Sequence, residues 1–218
     1  MTRDWEELAR RAAERHDDGL ARLPAGADER QRQLTRTGNA AWAAGLSCLM
    51  LGRRDEARSW LLRAAERYRE SWPDAPSGSW GRPIGAMKSR LIAGDLEGAR
   101  EDARWALEAG AAGSESPIGR YAAALARLVR GDDAAAGTLA TPLREQRDFP
   151  RPVADALVTL SASDRLGLEP ALRALVADFE GRTEFLEDVP VADTVLALQA
   201  LAAERGIAVD VESSMLPG

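Results

Sequence analysis

Gly52-Arg-Arg-Asp-Glu-Ala57-Arg58 and Gly94-Asp-Leu-Glu-Gly-Ala99-Arg100 are one short phrase written twice, 42 residues apart. A weaker third copy is Gly131-Asp-Asp-Ala-Ala-Ala136. Each glycine closes an apolar helical stretch, and the residues after it open another. The repeating unit is therefore helix, tight glycine turn, helix. Such a unit cannot bury its apolar face alone, so the copies must stack. The phrase predicts an all-α fold of stacked antiparallel helical hairpins forming a right-handed solenoid.

Outward from the first turn, small or apolar residues recur at Leu34, Ala41, Ala44, Gly45, Cys48 and Leu51. They predict one long helix over 28–51, with Gly38 as the point where it can kink. Its partner over 55–68 turns Ala57, Trp60, Leu61, Ala64 and Ala65 inward. Small side chains there let two helix axes approach, as ridges-into-grooves packing requires. The second pair spans 83–93 and 96–109, with Ile84, Met87, Leu91, Ala99, Ala103, Ala106 and Leu107 inward. The third spans 117–130 and 132–146. Ser116 caps its first helix, Pro117 takes the first helical position, and Pro142 kinks or shortens the second.

A degenerate pair over 152–160 and 169–179 follows, then a last helix over 191–205 stopped by Gly206. At the other end a helix over 4–22 carries Trp5, Leu8, Ala12 and Leu20 on one face, before Pro24-Ala-Gly26 breaks the chain. The tail Ile207-Ala-Val209-Asp-Val211 alternates as a strand does. With no second strand to pair, it reads as an extended segment packed across the last helices. The organisation expected is one helical-repeat domain over 1–218. Its parts are a helix at 1–27, three pairs at 28–146, a degenerate pair and last helix at 147–205, and an extended tail at 206–218.

The 218 residues are 45% hydrophobic, enough for a sizeable core. A formal net charge of -6 argues against a general nucleic-acid binder, which shows a basic footprint. No run approaches the roughly 18 apolar residues of a membrane span, and the charged start lacks an apolar signal core. The expectation is a cytoplasmic protein with no membrane and no nucleic-acid partner. Cys48 is the only cysteine and lies among apolar residues, so it reads as a buried, inert thiol. Lys88 is the only lysine among 29 basic residues, which reads as a coding habit.

Gly52, Ala57, Leu61 and Ala64, then Gly94, Ala99, Ala103 and Ala106, stand in a pattern that resembles the tetratricopeptide repeat. Gly45 holds the place of that family's helix-packing glycine, and Met87 takes it in the second copy. The likeness covers about residues 39–146, with spacings of 42 and 37 where the family keeps about 34. It implies a scaffold for a protein or peptide, with leading helices lining the groove. Lys88, Arg90, Arg120 and Tyr121 on those helices are then candidate contacts. The end of the chain carries a second resemblance. An alanine-leucine-rich helix, followed by Arg205-Gly-Ile-Ala-Val209-Asp-Val211-Glu-Ser-Ser-Met-Leu216-Pro217, is similar to the close of an all-helical immunity-protein family from bacterial polymorphic-toxin systems. That likeness implies a small antidote that binds a cognate toxin.

Few residues suggest chemistry. His16 is the only histidine, so no histidine-based metal site can form, and it reads as part of a solvated face. Asp17-Asp18 and Asp132-Asp133 lack a third carboxylate one turn on, and Asp132 reads as a helix cap. Neither a phosphate loop nor a nucleophile elbow is present. The long connection from Trp72 to Pro83 holds Trp72, Trp80 and Arg82, residue types enriched at binding hot spots. Its indoles either meet a partner or fold back to plug the gap between pairs, the second being favoured for large aromatics. The sequence thus points to a protein- or peptide-binding scaffold, not an enzyme, with no cofactor and no metal, in which an immunity or antitoxin-like role is the sharpest candidate. The alternative is a helical enzyme or small-ligand sensor using acidic residues in a concave pocket.

Overall fold

The computed structural model describes residues 3–218. Among these residues lie ten α-helices and no β-strand. Helix α1 (Trp5–Ala21) packs on α2 (Ala27–Met50). Four hairpins follow: α2 with α3 (Arg54–Glu70), α4 (Gly81–Ile92) with α5 (Leu96–Glu108), α6 (Pro117–Val129) with α7 (Asp133–Ala140), and α8 (Arg151–Ser161) with α9 (Arg165–Glu180). Each helix packs on the next, giving the stacked hairpins that the repeated phrase predicts. Helix α10 (Asp193–Glu204) ends the series.

The repeated glycines do one conformational task. Gly52, Gly94 and Gly131 adopt φ of 74°, 70° and 76°, the left-handed region that side chains disfavour. After each, the following N–H reaches back to a carbonyl five residues earlier: Arg53 to Cys48, Asp95 to Arg90, Asp132 to Arg127. The glycine N–H bonds a second carbonyl, so the ending is a Schellman motif repeated three times. A fourth copy exists without glycine. Ser163 has φ 52°, its N–H bonds Leu160, and the Asp164 N–H bonds Thr159. Asp164 then caps α9 by accepting from the N–H groups of Leu166 and Gly167. That cap opens α9 at Arg165, ahead of the residue-169 start expected from the sequence, and leaves Pro170 inside the helix. Ser163→Gly removes the left-handed strain of a side chain and is expected to stabilise by about 0.5–1 kcal/mol, read as a higher urea midpoint.

Small residues set the helix spacing. Ala57, Ala64, Ala99, Ala103, Ala106 and Ala136 are buried at the hairpin contacts. At Gly45 an added Cβ would come within 2.7 Å of Leu61 and 3.2 Å of the Ala57 carbonyl. Ala57→Trp and Ala99→Trp should each overpack such a contact and cost roughly 1–3 kcal/mol or more. Equal melting temperatures for both variants and the parent would overturn this packing. Pro142 shortens α7 as expected, with a 3-10 turn over Thr141–Glu145.

Two expectations need correction. Gly38 does not kink α2, which runs unbroken for 24 residues. The glycine instead makes room for Tyr68, whose ring lies 3.0 Å from where a Cβ would stand. His16 is not on a solvated face: it is 4% exposed, edge-on to Trp60 at 5.2 Å, with Nδ1 2.9 Å from Asp17. The buried face of α1 is Ala9, Ala12, His16 and Gly19, because Gly19 lies close against Thr37 and turns that side of the helix onto α2. Cys48 is buried, and burial pushes its thiol up to about 11.

Candidate functional site

In a simple hairpin stack the leading helices α2, α4, α6 and α8 would share one open face. Here the chain returns to cover that face. After α9 the segment 181–192 crosses to α2, and α10 then packs on α4 and α8. Both ends of α10 are tied down. At its start Asp193 pairs with Lys88 of α4 at 2.6 Å, and the Lys88 ammonium also donates to Thr194 at 3.2 Å. Just past its end Arg205 donates to the Leu128 carbonyl of α6 and bridges Asp133 of α7. Beyond it the tail buries Ile207, Val211 and Leu216, and the Ala192 N–H bonds the Met215 carbonyl.

Beside this cover a pocket of about 430 Å³ lies between α2, α4 and the returning segment. From α2 come Thr35, Asn39 and Trp42, from α3 Tyr68, and from α4 Arg82, Ile84, Gly85 and Lys88. Leu186 and Asp193 supply the far side. Tyr68 is gripped between two glycines: an added Cβ at Gly85 would meet its ring at 2.7 Å, opposite the contact at Gly38. The grip aims the Tyr68 hydroxyl at Asn39, to which it donates at 2.9 Å. Leu186 stands at the rim, 51% exposed, and the two residues after it are left-handed, Glu187 at φ 54° and Asp188 at φ 59°. Glu187 is fixed there by Arg15 of α1 at 3.0 Å.

Of the residues singled out from the sequence, Arg82 and Lys88 meet in this pocket. Trp72 and Trp80 meet elsewhere: Trp80 is 8% exposed, 5.7 Å from Trp72, and Trp72 lies edge-on to Trp105 at 5.4 Å. Arg90 points away from the pocket into a buried cluster, bonding Asp95 and the fully buried Asp102, which Arg69 also holds. Arg120 is half-buried. Tyr121 is buried against Phe149, 5.6 Å away. Sequence reading missed Asn39, Tyr68, Leu186 and Asp193. One signal was present: the single lysine of an arginine-rich chain stands in this lining.

In this pocket the cations Arg82 and Lys88 outnumber the carboxylates. Asp193 is the only carboxylate of the lining, and Lys88 neutralises it. Burial alone would lower the Lys88 ammonium, but the Asp193 carboxylate outweighs it and the group is held above its usual range. Tyr68 and Tyr121 are likewise pushed up, chiefly by burial. Lys88, both tyrosines and Cys48 therefore all hold protons more tightly folded than unfolded. Their contribution is complete below the unfolded values and is lost as pH rises through the folded ones. Melting temperature is expected to fall steadily above about pH 9, where arginine does not titrate. A flat profile to pH 11 would contradict the buried pair.

The excess acid lies elsewhere. Between 178 and 218 the chain has nine Asp or Glu against two Arg, more than its whole net charge. Glu180, Glu184, Asp188, Asp210 and Glu212 are exposed there. Ser213 of the tail donates to Glu180 at 2.7 Å and draws the two acidic stretches to the same end of the stack. No described helix is long and apolar enough to cross a membrane. Comparison with family models, curated proteins and solved structures finds no match for this chain.

Proposed function

We propose that this chain is a non-catalytic, tetratricopeptide-like binding scaffold that docks a basic protein through the acidic end formed by its last 41 residues. The concentration of exposed carboxylates in that stretch carries the reading. A second point supports it. An extended peptide in the leading-helix groove would have to displace α10, which is held by a buried ion pair, so the partner meets an outer surface. Leu186, exposed between Glu184 and Asp188 in the sequence, adds an apolar contact to the charged stretch. Surfaces built this way speed encounter with an oppositely charged partner and reject like-charged ones. An antidote to a basic toxin, as the C-terminal likeness to immunity proteins suggests, fits this design.

Tagged protein should retain one dominant basic partner from its native lysate. A triple variant, Glu184→Arg with Asp210→Arg and Glu212→Arg, should lose that partner while its melting temperature stays near the parent's, since exposed substitutions cost within about 0.5 kcal/mol each. Retention by the triple variant, or capture of no basic protein, rejects the proposal.

A further inference from the structure

We propose that the pocket beside α4 binds a small monocarboxylate with an apolar body, its carboxylate received by Arg82. The inference does not depend on the protein-docking proposal, although Leu186 borders both surfaces.

Arg82 is the anomaly. It is 7% exposed, yet among the described residues it pairs with no carboxylate. Its Nε donates to Thr35 Oγ1 at 3.0 Å and its Nη2 to Gln31 Oε1, both neutral acceptors. Among the described residues Nη1 has no hydrogen-bond partner, and almost none of its surface meets solvent. Arg67, Arg127 and Arg144 also leave a buried nitrogen without a hydrogen bond, but each bridges a carboxylate: Glu70, Asp132 and Asp155. Arg82 keeps its whole charge. Burial lowers its guanidinium, with no neighbouring charge set against it.

An uncompensated buried cation is costly, and folded chains seldom keep one without a use. Gln31 and Thr35 hold the guanidinium in place without neutralising it, which is how a site is preorganised for an anion. The charge of the ligand follows from the lining. Lys88 is already matched by Asp193, so one positive charge is left over. That suits a monoanion and leaves a phosphate dianion unbalanced. The body of the ligand follows from the walls, where Trp42, Tyr68, Ile84 and Leu186 form an apolar enclosure. A volume of about 430 Å³ lies in the range of small-molecule sites.

Octanoate and indole-3-acetate are the probes, with octanamide, indole-3-acetamide and inorganic phosphate as comparisons, using the full chain in calorimetry and thermal shift. At least one carboxylate should bind about tenfold or more tighter than its own amide, as expected for a charged hydrogen bond. Arg82→Gln should abolish that preference while the ligand-free variant melts at or above the parent, because a buried charge has been removed. Leu186→Glu sets a carboxylate at the exposed rim. It should weaken the acid about tenfold with no change in melting, and this variant decides the matter if Arg82→Gln does not fold. The proposal is overturned if neither carboxylate binds at millimolar concentration, if amides bind as well as acids, or if phosphate binds best. It is also overturned if Leu186→Glu, or a folded Arg82→Gln, keeps the preference for acids.

Discussion

Lys88→Met is expected to destabilise the protein by about 3–5 kcal/mol, because it leaves Asp193 buried without its counter-charge. For a chain of this size that corresponds to a fall in melting temperature of roughly 6–20 °C. The Asp193 side chain is 8% exposed and the Lys88 side chain 14%, so water cannot replace the lost partner. Removing both charges tells the source of the loss. In Lys88→Met with Asp193→Leu no ion remains to be desolvated, and stability should return to within about 1–2 kcal/mol of the parent. If the double variant is as unstable as the single one, α10 is held by shape and not by charge. The consequence is also topological. The pair fixes the start of α10 on α4, so its loss should raise amide exchange in α10 and the following tail before it does so in α2 or α3.

The elements were legible because local chemistry repeats. Gly52, Gly94 and Gly131 mark the turns directly, and Ser116-Pro117 marks a helix start. The fourth turn was hidden because Ser163 does a glycine's work, so the pattern lost its punctuation and α9 was expected to begin late. The return of α10 onto α4 was hidden for a different reason. Lys88 and Asp193 stand 105 positions apart, and a long-range ion pair leaves no periodicity in the sequence. The pocket shared this fate. Asn39, Tyr68 and Arg82 come from three helices, and each alone reads as an ordinary polar or aromatic residue. Only Gly38 and Gly85 gave a trace, since two glycines inside helices ask for something large between them. His16 misled because its neighbours Asp17 and Asp18 are exposed while its own side of the helix is not.

The pair of glycines leads to the second large effect. Gly85→Val is expected to cost about 3 kcal/mol or more, at the upper end of overpacking or beyond it. A Cβ there would stand 2.7 Å from Tyr68 Cε2, and the ring cannot retreat because the Gly38 position closes on it at 3.0 Å from the other side. Tyr68→Ala alone should cost about 3–5 kcal/mol, since it empties the buried ring site between the two glycines and strands its partner Asn39. Together the two losses should not add. In the Tyr68→Ala background the valine enters space the ring has left, so Gly85→Val should become neutral or stabilising there. A valine equally harmful in both backgrounds would mean that the damage lies in contacts other than the ring, because helix preference alone favours valine over glycine, by well under 1 kcal/mol. The ring clash and helix preference thus act in opposite directions in the parent, and only the clash disappears in the double variant. The measurement also bears on the pocket, because the same ring is its wall: a protein in which valine replaces tyrosine as the filler keeps its hairpins but loses the surface against which an apolar ligand would lie.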